Sequence, residues 1–299
     1  MTLASPAIPI WVRRSIGLLG SAFLVVTLVT QWDSAISSLD LSGVRMLAAF
    51  APLVLSVMAN GQAWATIVGS EERNAVRNAY YLALPSKYIP GGFAQPMSQV
   101  VLTRSSNVSL RTSVMAFILH SMTIVVATGT ISFGLAFSEQ LPPLARTCAA
   151  LGPVSLLLMW RPVLAAIAVR TSRIGRSDVI KLIALPSQRD LLRALSWTLG
   201  GVTLSGMGFA GLSGSVAGAP WGIVVSSFSF AFLVGFVAIP FPAGIGVREG
   251  VLAAALPLSL PVVIAVSGLH RLLTMAAEFL VMLSTRKRMP MGSTHHENP

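Results

Sequence analysis

Residues 112–137 read TSVMAFILHSMTIVVATGTISFGLAF, a run without a single Asp, Glu, Lys or Arg side chain. A helix needs about 20 apolar residues to cross the roughly 30 Å hydrocarbon core of a bilayer, and this run is longer. Its one titratable side chain is His120, and a polar side chain in such a setting usually makes a hydrogen bond to a neighbouring helix. The run therefore predicts a membrane-spanning helix.

Apolar runs of similar character recur along the whole chain. They lie at residues 14–31, 44–69, 144–160, 194–212, 220–239 and 262–284, with a shorter run at 247–256. Of the 299 residues, 54% are hydrophobic and only 10% are charged, and the mean hydropathy is +0.76, which excludes an ordinary soluble domain. We predict an all-α, polytopic integral membrane helix bundle with about eight transmembrane segments if the short run also spans. Residues 1–288 are predicted to form a single transmembrane domain, and residues 289–299 a polar cytoplasmic tail.

The basic residues indicate the orientation of this bundle. All of the 21 Lys and Arg residues except Arg45, Arg146 and Arg271 fall in loops on one predicted side of the membrane. Because such residues are enriched in cytoplasmic loops, both termini are predicted to be cytoplasmic. The first run has no convincing cleavage site and is interpreted as a retained helix. The predicted localisation is the cytoplasmic membrane, which the chain crosses several times.

Two further features of the composition exclude classes of function. The net charge of +11 comes from basic residues dispersed between apolar runs, so no nucleic-acid partner is predicted. The single cysteine, Cys148, lies within an apolar run, which excludes a disulfide framework and a thiolate metal cluster. The sequence predicts no cofactor, no metal site and no catalytic constellation.

The first interruption of the apolar pattern lies at residues 71–104. It begins with the mixed charges and paired tyrosines of EERNAVRNAYY, which are typical of a helix lying in the membrane interface. Prolines and glycines then follow in SKYIPGGFAQP, where a helix must break and turn. Two interpretations remain open, a segment that dips into the bilayer and a surface loop.

The second interruption, at residues 239–256, reads IPFPAGIGVREGVLAAAL. A helix begins at Val247, and Arg248 stands in its first turn, where the positive end of the helix dipole disfavours a cation. A bound phosphate or carboxylate would offset this cost, because an arginine can hold such a group through two hydrogen bonds. The alternative is a cytoplasmic loop in which Arg248 follows the positive-inside bias and Glu249 caps the helix.

The last apolar run carries His270, Arg271 and Glu278 among leucines. Charged side chains at this depth usually face the bundle interior and are paired. Arg271 and Glu278 are two helical turns apart on one face with Thr274 between them, and Glu249 is a plausible spatial partner for Arg271. These residues are interpreted as a structural ion pair or as a proton relay.

Three of these segments carry a resemblance to a known family. SKYIPGG at 86–92, PFPAGIGVREG at 240–250 and HRLLTMAAEFL at 270–280 resemble the signatures of the flippase-like family named for the transmembrane region of lysylphosphatidylglycerol synthase. The resemblance extends from about residue 10 to residue 288, and Ala243 stands where the family usually has glycine. It implies the translocating region alone, without the soluble aminoacyl-transferase domain of the full synthase. Lipid aminoacylation is therefore not expected.

The resemblance implies that the chain flips an anionic or polyprenyl-linked lipid across the bacterial inner membrane. The two interruptions become broken helical elements that bind the lipid headgroup. The residues expected to bind it are Lys87, Tyr88, Pro90, Gly91, Gly92, Pro242, Gly244, Gly246, Arg248 and Glu249. An internal charge network is expected from His270, Arg271 and Glu278 beside Glu249, and either Glu249 or Glu278 could instead carry a coupling proton.

Two other classes of function remain open at this point. The chain could be a non-transporting membrane partner of a lipid-synthesising or lipid-modifying enzyme, which would need only a stable bundle and an interface. It could also be a membrane-embedded transferase that uses a lipid-phosphate donor. The candidate external acids for the latter, Asp33 and Asp40, are separated by an ordinary polar loop.

Overall fold

The computed structural model describes residues 42–88, 94–104, 106, 108–175, 185–213, 218–238 and 246–286. The predicted first helix at 14–31 and the predicted tail at 289–299 lie outside these ranges. The described residues form helices and connecting turns, with no β-strand among them. The all-α prediction is confirmed for this part of the chain.

Ten α-helices follow one another in the described ranges. They are α1 Gly43–Val68, α2 Arg73–Ala83, α3 Ala94–Arg104, α4 Leu110–Ser132, α5 Pro143–Ala150, α6 Arg161–Gly175, α7 Gln188–Ser213, α8 Trp221–Val237, α9 Val247–Ala255 and α10 Leu260–Arg286. Three 3-10 segments, Leu84–Tyr88, Phe133–Phe137 and Gly152–Met159, follow α2, α4 and α5.

The ends of two long helices follow local chemistry. At the start of α4, the Ser109 hydroxyl accepts a hydrogen bond from the Thr112 backbone N–H at 3.1 Å. At the end of α1, Gly69 adopts a left-handed conformation with φ of 67°, and its N–H donates to the Ala65 carbonyl. Thus α4 begins, and α1 ends, close to the limit of its apolar run.

Among the described residues, three helices are long and apolar enough to cross a membrane, namely Gly43–Val68, Leu110–Phe137 and Leu260–Thr285. The segments Pro143–Met159 and Arg161–Ile167 make a fourth if they form one span, although they meet at 85°. Large apolar side chains are exposed on these helices, as expected where lipid forms the solvent. A membrane protein is therefore indicated, but the predicted number of about eight transmembrane segments is not confirmed.

Three predicted runs fall short of a membrane-spanning helix, and the structure shows why. The run at 144–160 is not one helix, because α5 ends at Ala150 and a 3-10 segment with Pro153 in its first turn follows. The nine residues of α9 rise about 14 Å, roughly half of the hydrocarbon thickness, so this helix does not cross on its own. A third helix, α8, is apolar but has only 17 residues.

Small side chains let α1 and α7 approach each other closely. The Ser56 hydroxyl of α1 donates to the carbonyl of Gly201 in α7 at 2.7 Å. A Cβ atom on Gly208 would lie 3.1 Å from the carbonyl oxygen of Ala49 and closer still to Leu53. Close backbone approach between small residues is a usual means of helix association in membranes.

The buried apolar side chains form two main clusters, and α10 contributes to both. One cluster combines α7, α8, α9 and α10 around Phe209, Phe228 and Val266. The other combines α1, α2, α4 and α10 around Trp64, Tyr80 and Leu119, and the partly buried Leu273 of α10 packs against both. The last helix therefore packs against helices on both sides of the bundle, including α2 of the first interruption and α9 of the second.

Two glycines face each other where α4 packs on the 3-10 segment Gly152–Met159, and substitutions at them test this packing. A Cβ atom on Gly152 would collide with the backbone carbonyl of Gly129, whereas a Cβ atom on Gly129 would come no closer than 3.4 Å to any neighbour. We expect Gly152→Ala to lower the free energy of unfolding by about 2–3 kcal/mol. Gly129→Ala should be neutral or stabilising, since alanine favours a helix interior. Unfolding in detergent by increasing dodecyl sulfate compares the two variants, and equal stabilities would contradict the packing described.

Candidate functional site

A stripe of polar side chains runs along α10 within an otherwise apolar helix. His270, Arg271, Thr274 and Glu278 recur at the spacing of one helical face. His270 and Glu278 are almost completely buried, with 3% and 4% of their surface exposed. A buried carboxylate in a spanning helix must be paired, so Glu278 requires a cation or hydrogen-bond donors from another element.

Glu278 binds two consecutive residues of the first interruption. The 3-10 segment Leu84–Tyr88 brings Lys87 Nζ to Glu278 Oε1, and Tyr88 Oη donates to Glu278 Oε2 at 2.9 Å. Lys87 Nζ also lies 5.1 Å from the centroid of the Tyr88 ring. Both carboxylate oxygens of Glu278 are thus satisfied by a segment 190 residues earlier in the chain.

This arrangement differs from the roles expected for these residues. Lys87 and Tyr88 were expected to approach a lipid headgroup, but in the structure they bind Glu278. Glu278 was expected in a network with Arg271, and no hydrogen bond or ion pair joins those two side chains in the described structure. The physical reason is that Glu278 and Arg271 are two turns apart on α10, and each has a nearer partner on another element.

Glu249 of the second interruption holds the other ion pair. Arg271 donates to Glu249 Oε1 at 2.8 Å, and the backbone N–H of Gly246 donates to Glu249 Oε2 at 2.8 Å. Gly246 has φ of 87°, a left-handed conformation that favours glycine, and it precedes the first turn of α9. Glu249 therefore caps its own helix and fastens that helix to α10, and the expected proximity of Glu249 and Arg271 is present.

Arg248, next to Glu249, has a different environment. Its guanidinium group lies over two aromatic rings of α8, 4.5 Å from the centroid of Phe228 and 5.4 Å from that of Phe232. Its Nε atom is buried and has no hydrogen-bond partner within the described ranges. Both neighbouring carboxylates already bind other cations, so Arg248 has no acidic partner in the part of the chain that the structure describes.

His270 is placed apart from the ion pairs. Its ring packs against Phe228 at 4.8 Å and Phe209 at 5.8 Å between centroids. Its Nε2 atom lies 3.1 Å from the carbonyl oxygen of Ser205 in α7, so this nitrogen carries the proton and donates. His270 thus joins α10 to α7. Within the described ranges no carboxylate forms a hydrogen bond or ion pair with it, whereas it was expected to be part of the charge network.

Five of the expected headgroup residues, Pro90, Gly91, Gly92, Pro242 and Gly244, lie outside the described ranges. The remaining ones lie on the two elements that α10 joins. Sequence analysis did not identify Phe228 and Phe232, which support Arg248. A signal was available, because with Phe236 they recur every four residues on one face of α8.

A separate cavity of about 390 Å³ lies where the end of α1 meets the starts of α4 and α7. Gly69, Arg111 and Asp190 are among its lining residues, and it includes none of the expected site residues. Within the described ranges, no group of three or more His, Cys, Asp or Glu side chains is arranged to hold a metal ion.

The chain has three tyrosines, Tyr80, Tyr81 and Tyr88, and all lie in the first interruption. Burial raises the pKa of Tyr81 to about 12, and burial followed by the charge of Glu278 raises the pKa of Tyr80 and of Tyr88 above the ordinary value. The Tyr88 phenol therefore stays protonated and donates to Glu278.

These shifts predict a tyrosine titration that depends on folding. The folded protein should show almost no phenolate absorbance at about pH 10, where a free tyrosine is half ionised. Because the folded pKa of Tyr81 exceeds the unfolded value, its contribution to stability is complete below about pH 10 and is lost as the pH rises to about 12. Phenolate absorbance is measured with and without dodecyl sulfate; equal absorbance in both at about pH 10 would contradict this environment.

Comparison with known proteins gives no match. No protein-family model matches the chain, and no curated protein or solved structure matches it.

Proposed function

We propose that this chain translocates an anionic or polyprenyl-linked lipid across the bacterial cytoplasmic membrane. The observation that carries the proposal is Arg248, a half-buried cation without an acidic partner in the described structure, beside two carboxylates that are already paired. A buried guanidinium Nε without a hydrogen-bond partner is costly, and a bound anion would remove that cost.

The geometry around Arg248 supports binding of a phosphate group. The aromatic rings of Phe228 and Phe232 cover the guanidinium, while donors in the plane of the group can still form two parallel hydrogen bonds to phosphate oxygens. Arg248 is in the first turn of α9, where the positive end of the helix also favours an anion. The hydrocarbon chains of the lipid would remain in the bilayer.

The resemblance of three sequence segments to the flippase-like family of the lysylphosphatidylglycerol synthase transmembrane region supports the same proposal. Two of these segments contain the ion-pairing residues Lys87 and Glu249. The third segment, which is part of α10, contains their partners Glu278 and Arg271. The proposal includes the topology that the apolar runs and the basic residues indicate, about eight crossings with both termini in the cytoplasm. The partner in this proposal is a membrane lipid with an anionic headgroup.

Leaflet exchange in proteoliposomes tests the proposal directly. Vesicles containing fluorescently labelled phosphatidylglycerol are exposed to a membrane-impermeant quencher, with and without the purified chain. We expect the inner-leaflet fraction to lose its protection only when the chain is present. Continued protection with phosphatidylglycerol, with a labelled polyprenyl phosphate and with an imposed proton gradient would contradict it. Such a result together with co-purification of a lipid-modifying enzyme would favour the non-transporting partner.

A further inference from the structure

The charges near Arg248 can be balanced residue by residue. Three cations, Lys87, Arg248 and Arg271, face two carboxylates, Glu249 and Glu278, and each carboxylate already binds one cation. Among the described residues, the remaining charge is a single positive charge on Arg248. His270 does not alter the balance, because it faces aromatic rings and the Ser205 carbonyl, where the uncharged ring is the less costly form.

The undescribed segments beside these residues carry no charge of their own. Residues 89–93 read IPGGF and residues 239–245 read IPFPAGI, without an Asp, Glu, Lys, Arg or His side chain. The balance of one positive charge among the five ionic residues therefore needs no correction from the segments that adjoin them in sequence.

We infer that this site selects lipids whose phosphate carries one negative charge, as in a phosphodiester, over phosphomonoester and diphosphate lipids. The inference rests on the proposed function, since it takes Arg248 as the headgroup site. One negative charge neutralises Arg248 completely. A second negative charge would remain uncompensated in a medium of low dielectric constant, where an unpaired charge is costly. The two ion pairs thus act as a charge filter, because they leave Arg248 without an acidic partner among the described residues.

Binding measurements in detergent test this selectivity without requiring transport. Dioctanoyl phosphatidylglycerol, a phosphodiester, and dioctanoyl phosphatidic acid, a phosphomonoester, are titrated into the full purified chain by calorimetry. At about pH 8 the phosphomonoester carries close to two negative charges, because its second pKa is about 6. We expect the phosphodiester to bind on the order of tenfold more tightly. Equal binding, tighter binding of phosphatidic acid, or no binding of either lipid would overturn the inference.

A charge-altering variant gives the sharper comparison. Glu249→Gln keeps the side-chain volume and one of the two acceptor oxygens but removes one negative charge, so the balance becomes two positive charges. We expect its preference to shift toward phosphatidic acid by on the order of tenfold. Glu278→Gln makes the same change at the other ion pair and should shift the preference in the same direction. Asp190→Asn, which removes a carboxylate from the first turn of α7, is the matched control and should leave the preference unchanged.

The two proposals fail in different ways. If the binding preference and its shift are observed but no leaflet exchange occurs, the charge filter stands and translocation is wrong. If exchange occurs but both Gln variants keep the wild-type preference, translocation stands and the charge filter is wrong.

Discussion

Replacing Arg248 by Ala is expected to lower the rate of lipid translocation by about a hundredfold. The variant loses two hydrogen bonds to a charged group, each contributing about 1.5 kcal/mol or more, and each 1.4 kcal/mol corresponds to a factor of about ten. The rate is measured as the loss of protected fluorescence in the leaflet-exchange assay. Because the chain contains no acidic partner for Arg248 in its described part, removing this cation should not strand a carboxylate.

Controls separate the charge of Arg248 from its geometry and from the fold. Arg248→Lys retains a positive charge but loses the planar donor group and its stacking on Phe228, so an intermediate rate is expected. Arg189→Ala removes an exposed arginine from the first turn of α7 and should keep the wild-type rate. Arg248→Ala protein that elutes as a monodisperse species, unfolds like wild type and still moves lipid at the wild-type rate would rule out Arg248 as the headgroup site.

Glu278→Ala is expected to have the largest effect on stability among the ionic residues. Removing one partner of a fully buried ion pair costs about 3–5 kcal/mol, because the other charge stays behind without a partner. Lys87 retains 30% exposure of its side chain and can be partly hydrated, so we expect a loss of about 2–3 kcal/mol. Tyr88 also loses the acceptor of its phenol. Equilibrium unfolding by dodecyl sulfate in mixed micelles measures this loss.

A double-variant cycle isolates the ion pair from the packing of the two side chains. Lys87→Met with Glu278→Leu replaces both charges by apolar groups of similar length and should recover most of the stability lost in Glu278→Ala. Glu278→Gln, which keeps the volume and an acceptor for Tyr88, should be less damaging than Glu278→Ala. Additive effects of the two single changes in the cycle would show that Lys87 and Glu278 do not interact in the folded protein.

The long apolar runs were predictable because they are continuous and uncharged. The run at 112–137 is matched by Leu110–Phe137, and the run at 44–69 by α1, Gly43–Val68. Ser109 supplies the local signal for the start of α4, and Gly69 supplies the local signal for the end of α1. Hydrophobic length was not sufficient at 144–160, where α5 ends at Ala150 and a 3-10 segment with Pro153 in its first turn follows.

The polar site was predictable in its members but not in its pairings. Charged residues within apolar segments have few alternatives to internal pairing, which identified Glu249, Arg271 and Glu278. The choice among partners depends on how helices from distant parts of the sequence come together. Neither the helical period nor the charge pattern predicts that Glu278 pairs with Lys87, which lies 191 residues earlier in the sequence. The aromatic support of Arg248 was missed although Phe228, Phe232 and Phe236 recur every four residues on α8, because this spacing does not identify what the rings contact.

Because both ion pairs lie on α10, the two interruptions are coupled and are expected to move together. Lys87 and Glu249 are fastened to the same rigid helix two turns apart, so a rotation of α10 about its axis would displace both segments together. The two ion pairs also predict which positions change together during evolution. In related chains, a change at Lys87 should be accompanied by a change at Glu278, and a change at Glu249 by one at Arg271. An alignment of such relatives in which these pairs vary independently would show that the coupling is not under selection.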